Sequence, residues 1–248
     1  MSTLRTRYIP VLLIKNRQLY KTVNFNREIK YIGDPINALR IFNEKQVDEI
    51  CILDIDASKL NSEPDFDFIQ DLASECFMPM GYGGGIKNIS TIEKLFRLGV
   101  EKIILNSVLL SNMSLITEAA NIFGSQSIVA SVDVKKNFFG NHQIYSHVTN
   151  KTEKIKFEEY IIKIQESGAG ELIINSVDKD GMMMGYDEGL IETVSSLLTI
   201  PVVALGGAGS VQDLDTVISK GAHAAAAGSI FIYKGPHKAV LINYPTYK

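Results

Sequence analysis

The fold of this chain is indicated most clearly by the stretch Pro201-Val202-Val203-Ala204-Leu205-Gly206-Gly207-Ala208-Gly209. A helical segment follows it, and then the run Ala224-Ala225-Ala226-Ala227-Gly228-Ser229-Ile230-Phe231. The pattern predicts two buried strands that end in small residues and are joined by a helix. The first amides of a helix are unpaired and lie at the positive end of its dipole, so bare backbone there suits an anion. The stretch therefore predicts half of a phosphate-binding site.

The same strand-then-helix pattern recurs along the 248 residues. Eight alternations favour one parallel barrel over two small domains. We predict an α/β fold, a single (β/α)8 or TIM barrel over residues 1–248, with an atypical tail at 234–248. The long connections at 16–32 and 137–154 predict functional loops or local hairpins. The predicted strands are Tyr8–Ile14, Glu49–Ile55, Met78–Tyr82, Lys102–Leu105, Ile128–Val134, Glu171–Val177, Pro201–Leu205 and Ala222–Ala227.

The two halves of the chain resemble each other, which predicts a two-fold half-barrel repeat. Gly-rich loops alone are weak indicators, because a tight turn explains each equally well. Their duplication favours two phosphate cradles on opposite sides of one mouth, and hence a phosphorylated small molecule with a phosphate at each end. The first cradle comprises Gly84, Asn106 and Ser107. The second comprises Gly207, Gly228 and Ser229, with Asp180 and Gly181 from the loop after strand six.

Period-two alternation places one carboxylate, Asp133, at the mouth end of strand five and facing the barrel interior. It is the candidate acid–base group, although a strand-end Asp can also simply cap the next loop. The position that corresponds to it in the first half is Leu13, which has no proton to exchange. Two-carboxylate catalysis is therefore not available from this pair.

Four charged residues begin strands at the opposite end, the floor of the predicted barrel: Arg7, Glu49, Lys102 and Glu171. Two cations and two anions here predict a paired ring, since buried charges are tolerated only when paired. Two interpretations stay open at this point. The ring is either a salt-bridge network that closes the barrel or a gate through which something small enters.

Composition narrows the possible functions. A formal charge of -3 gives no concentrated basic surface for nucleic acid. No apolar run is long enough to span a membrane and no leader is visible, so we expect a soluble, cytoplasmic protein. Cys51 and Cys76 are expected to be reduced. The histidines, among them His142 and His147 in the predicted hairpin, show no ligand spacing, so no metal and no cofactor are expected.

Motifs spread over nearly the whole chain, up to Lys234, match one family in order. They are Ile9-Pro10, Lys21-Thr22-Val23-Asn24-Phe25, Gly33-Asp34-Pro35, Leu53-Asp54-Ile55, Gly83-Gly84-Gly85-Ile86, Asn106-Ser107, Phe123-Gly124-Ser125-Gln126, Asp133, Gly168-Ala169-Gly170-Glu171, Asp178-Lys179-Asp180-Gly181, Gly206-Gly207-Ala208-Gly209 and Ser229-Ile230-Phe231. With these motifs the chain resembles the cyclase subunit of imidazole glycerol phosphate synthase. The resemblance implies a barrel that receives ammonia from a glutaminase subunit on its floor and joins it to a bis-phosphorylated substrate at the mouth.

The resemblance implies that both cradles and Lys21 bind phosphate, that Asp133 is catalytic and that the floor charges form an ammonia gate. Three positions depart from the family: Leu13 stands where it has its second catalytic aspartate, Leu205 replaces a serine, and Met182 replaces a threonine.

The tail resembles a branch that acts with a glutaminase and a sugar amidotransferase in making acetamidino groups on surface sugars. We therefore expect ammonia delivery for such a modification. The alternatives are a histidine-pathway cyclase in which Asp133 alone suffices, and a non-catalytic activator of a glutaminase.

Overall fold

A computed structural model describes residues 6–25 and 28–245, and eight parallel strands close into a barrel. Strand β6 pairs with both β5 and β7, and β1 pairs with both β8 and β2, which completes the ring. The predicted (β/α)8 fold is confirmed, and strand ends differ from the predicted ones by at most two residues. The strands β1 to β8 are Arg7–Lys15, Ile50–Asp54, Met80–Gly83, Lys102–Leu105, Ile128–Lys136, Glu171–Ser176, Val202–Leu205 and Ala224–Ala227.

Eight helices cover the outside of the barrel, and side chains at their starts explain where several begin. Asp34, Asp65, Asn88, Asp187 and Ser210 each accept a hydrogen bond from a backbone N–H in the first turn, which satisfies a group with no partner inside the helix. The helices α1 to α8 are Pro35–Glu44, Phe66–Glu75, Ile89–Arg97, Ser114–Phe123, Phe157–Glu166, Glu188–Leu197, Val211–Ser219 and Ser229–Ile232.

Alternation along the strands divides the apolar residues into two cores. One lies between strands and helices, where Leu12, Ile52 and Leu172 are fully buried. The other fills the barrel lumen and contains Ile9, Val11 and Ile104. The same alternation turns Arg7, Leu13 and Asp133 to the inside, because they share a strand face with lumen residues.

Two hairpins extend over the mouth, as the two long connections predicted. The first pairs Gln18–Val23 with Glu28–Gly33, and the second continues β5 and pairs it with His142–Ser146, which in turn pairs with Lys151–Thr152. Phe25 of the first hairpin packs against Tyr145 of the second at 6.0 Å between ring centroids. The hairpins thus meet above the strand ends.

The tail occupies the place where a long eighth helix would lie. After α8 the short strands Tyr233–Lys234 and Ala239–Val240 form a hairpin. The Tyr244 ring then stacks on Phe231 at 5.5 Å between centroids, and its hydroxyl lies 2.9 Å from the Tyr8 carbonyl oxygen. Of the predicted atypical tail, residues 246–248 lie outside the described residues. Within the described part, no helix combines the length and apolar character needed to cross a bilayer.

Candidate functional site

The four floor charges form a closed ring. Arg7 donates to Glu49 across 2.7 Å and also to Glu171. Lys102 Nζ lies 2.8 Å from Glu49 Oε1 and 2.8 Å from Glu171 Oε2. Each cation therefore contacts both anions, as the sequence predicted.

The electrostatics of this ring favour the charged forms of Glu171 and Lys102. Burial alone would raise the pKa of Glu171, but attraction by Lys102 and Arg7 holds that pKa below its usual value. Burial would lower the pKa of Lys102, and the charges of Glu171 and Glu49 raise it above its usual value instead. Because each charge is compensated by its neighbours, removing one leaves an uncompensated buried charge.

The lumen above the ring is lined mainly by apolar side chains, with Ser131 as a buried polar residue on the same strand face as Val129. Burial raises the pKa of the Cys51 thiol, so this cysteine is a neutral part of the wall. A neutral small molecule is compatible with such a wall, whereas an ion would lose its hydration there. The lumen residues are Ile9, Val11, Cys51, Ile104, Val129, Ile173, Val203, Leu205, Ala224 and Ala226.

Asp133 lies at the centre of the mouth and is 4% exposed. Asn106 Nδ2 donates to its Oδ2 at 2.9 Å, and Asn175 Nδ2 donates to its Oδ1 at 3.2 Å. These amides come from the two strands that flank β5, so the carboxylate is held from both sides. Leu13, on the strand opposite β5, lines the same cavity without a polar group.

His147 is a cavity residue that the sequence reasoning missed as a site residue. Its Nδ1 lies 3.4 Å from Asp133 Oδ2, and it lines the cavity. Spacing gave no signal, because the second hairpin folds back over the mouth to bring His147 to a residue on the preceding strand.

The first cradle opens directly into this cavity, which Gly84, Asn106 and Ser107 line. Gly84 has a φ of 123°, and a Cβ there would lie 2.6 Å from the Asp54 carbonyl oxygen. Only glycine fits this backbone. The Asn106 side chain contacts Asp133, so phosphate binding by Asn106 would use its backbone; that role stays a prediction.

The second cradle is covered by other parts of the chain. Asp180 and Gly228 line the cavity, whereas Gly181, Gly207 and Ser229 are not among the described residues that do so. A Cβ at Gly228 would overlap the Lys21 ammonium. Burial raises the pKa of Asp180 to about 6 despite the opposing charge of Lys21, and burial lowers the pKa of Lys21. Lys21 therefore brings its amine to this cradle, and the two cradles are not equivalent.

The loop with Met182, Met183 and Met184 covers the second cradle through its backbone. A Cβ at Gly209 would overlap the Met183 carbonyl, and one at Gly207 would overlap that of Gly185. The Met184 side chain is 70% exposed and takes no part in this contact. The close contact is between main chains.

The Gly207→Ala variant is expected to lower the free energy of unfolding by more than about 3 kcal/mol, measured by urea denaturation. Gly207 has a φ of 118° and its missing side chain makes room for Gly185, so alanine adds both strain and overlap. Gly140→Ala is the matched control, with a φ of 83° and open space around it. It should lose only about 1–2 kcal/mol. Equal losses in the two variants would contradict the close packing at the second cradle.

Parallel (β/α)8 barrels place ligand sites at the carboxyl ends of their strands, and the cavity around Asp133 lies at that end. Fold and cavity thus define a (β/α)8-barrel protein with a candidate small-molecule site at its mouth. The family described as histidine biosynthesis protein matches residues 7–238.

Two relatives cover almost the whole chain. A Pseudomonas aeruginosa protein, provisionally named imidazole glycerol phosphate synthase subunit hisF2, is 50% identical over 97% of this chain and 96% of its own length. A Vibrio vulnificus protein, provisionally named subunit hisF3 of the same synthase, is 46% identical over 98% and 94%. The chain belongs to the histidine-biosynthesis family, among its cyclase-like imidazole glycerol phosphate synthase subunits.

Proposed function

We propose that this chain is the ammonia-accepting barrel subunit of a glutamine-dependent amidotransferase system. A glutaminase subunit docks on the floor, ammonia passes the charged ring and the apolar lumen, and it is used at the mouth. The product is an acetamidino group on a sugar of lipopolysaccharide or another surface polysaccharide, made together with a sugar amidotransferase.

The proposal rests on one observation. Leu13 has no acid–base group, whereas Asp133 and all four charges of the floor ring are present. The ring supports ammonia entry, because all four charges are present and mutually paired. The cavity has Asp133 on one side and the apolar side chains of Leu13 and Leu205 facing it. Ammonia handling is retained, while the second carboxylate for ring closure is replaced.

Family membership favours a second candidate, the cyclase reaction of histidine synthesis in which Asp133 alone suffices for the acid–base chemistry. The relatives carry the name of that synthase, which supports a glutaminase partner in either case. A third candidate, a barrel that only activates its glutaminase, requires no chemistry at Asp133.

The test is a reconstitution of the chain with a purified glutaminase subunit and a purified sugar amidotransferase. The substrate is an N-acetylated nucleotide sugar, and glutamine supplies the nitrogen. We expect mass spectrometry to detect a product in which one oxygen has become NH, and only when the chain is present. Formation of imidazole glycerol phosphate from its formimino precursor at full rate, with no amidinated sugar, would contradict the proposal.

A further inference from the structure

His147 stands beside Asp133 because of the second hairpin. The hairpin continues β5 outward, turns, and returns His142–Ser146 alongside it, so the residue after Ser146 comes back to the strand end. There His147 Nδ1 lies 3.4 Å from Asp133 Oδ2, and its side chain is 19% exposed. It lines the same cavity as Leu13 and the first cradle.

We propose that His147 is a catalytic acid–base group of this cavity, paired with Asp133, and that it supplies the proton transfer that Leu13 cannot. This inference rests on the proposed delivery of ammonia to the mouth. The reacting partner is an electrophilic carbonyl carbon of a phosphorylated or nucleotide-linked small molecule.

The contacts of Asp133 indicate that it orients His147, while His147 exchanges the proton. Its two oxygens accept hydrogen bonds from Asn106 and Asn175, and Oδ2 also faces His147. A carboxylate held this way orients an imidazole and fixes which of its nitrogens faces the cavity. With Nδ1 turned to Asp133, Nε2 is the nitrogen that can exchange a proton with a molecule in the cavity.

The first hairpin also contacts the imidazole of His147. Phe25 meets His147 edge to face at 6.4 Å between centroids and also packs on Tyr145. The imidazole therefore lies between the two hairpins and the carboxylate. The charged residues Lys21 and Asp180 lie instead at the second cradle, on the Gly228 side.

The proton transfer balances without a co-reactant. Ammonia forms an N–C bond to the carbonyl carbon, and the π electrons of the carbonyl move to its oxygen. The excess proton of the nitrogen passes to Nε2 of His147. The imidazolium then returns a proton to the oxygen, which gives a neutral carbinolamine and restores the imidazole. A second transfer through His147 carries a proton from the nitrogen to this hydroxyl group, so that water leaves and the C=N bond of the product forms.

Two variants separate this role from simple anchoring of the hairpin. His147→Asn keeps an N–H that can reach Asp133 but cannot transfer a proton, and His147→Gln is the longer counterpart. We expect both to lower kcat with ammonium salt by about 10²-fold while the KM for ammonium stays within about threefold. His237→Asn, in the exposed tail hairpin, is the control with unchanged rate. A His147→Asn rate within about threefold of wild type would overturn the inference.

The assay uses both the N-acetylated nucleotide sugar and the formimino precursor of imidazole glycerol phosphate. If the unmodified chain makes only the imidazole product, the proposed function fails and the His147 comparison is made on that reaction. If neither product forms, the native chain is carbethoxylated, and the modified histidines are located by peptide mass spectrometry. The result then decides whether His147 presents Nε2 to the cavity. Modification of His147 alongside exposed His237 supports a cavity-facing Nε2, and an unmodified His147 beside a modified His237 overturns it.

Discussion

Lys102→Glu is expected to abolish transfer of glutamine-derived nitrogen through the barrel, with a fall of at least about 10²-fold in glutamine-dependent product. The substitution removes the cation that contacts both Glu49 and Glu171 and adds a third carboxylate beside them. Arg7 alone cannot compensate three anions. The ring then opens or repacks at the face where the proposed glutaminase docks.

The same variant should keep most of its rate with ammonium salt, because ammonia can reach the mouth directly from solution. Product formation is measured with each nitrogen source, and thermal denaturation establishes that the chain is folded. Lys156→Glu is the matched charge reversal, since Lys156 pairs with Glu159 on an exposed helix start. If Lys102→Glu used glutamine as well as the unmodified chain does, the ring would have no part in ammonia entry.

Asp133→Asn is expected to lower every ammonia-dependent product of the chain by about 10²–10⁴-fold, whichever nitrogen source is used. The amide can neither accept a proton nor orient His147 as the carboxylate does, and its NH2 group would face one of the donors Asn106 and Asn175. Steady-state kinetics with ammonium salt measure the loss.

Asp178→Asn serves as the control for this change. Asp178 lies at the same rim, where its Oδ2 accepts from the Lys136 backbone N–H at 2.8 Å, and it does not line the cavity. Its substitution should leave the rate unchanged. Full activity of Asp133→Asn would favour the non-catalytic activator instead.

The barrel and its floor could be predicted from the sequence because both follow from local rules. Strand alternation places Arg7, Lys102 and Glu171 on the inner face at the strand starts, and parallel strands then bring them together. The same rule places Asp133 at the mouth. These positions depend only on which side chains of a strand face inward, and the alternation of apolar residues along the strand shows this.

The parts that could not be predicted depend on how loops fold back. His147 reaches Asp133 through the return of a hairpin, and Lys21 covers Gly228 through the other hairpin. The repeat predicted two equivalent cradles, but one is covered by Lys21 and the main chain near Gly185. Neither of these loop contacts leaves a periodic pattern in the sequence, because each joins residues that are far apart along the chain or brought together only by a turn.

The retained ring and the replaced carboxylate lie at opposite ends of one lumen, so they can be tested separately. We propose that this barrel handles ammonia but has lost most of its capacity for imidazole ring closure.

The most direct test supplies the formimino precursor of imidazole glycerol phosphate with excess ammonium salt to the unmodified chain and to Leu13→Asp. We predict that the unmodified chain turns over at least about 10²-fold more slowly than a barrel with both carboxylates, and that Leu13→Asp recovers part of the difference. Rapid imidazole glycerol phosphate formation by the unmodified chain, with no gain in Leu13→Asp, would contradict the claim.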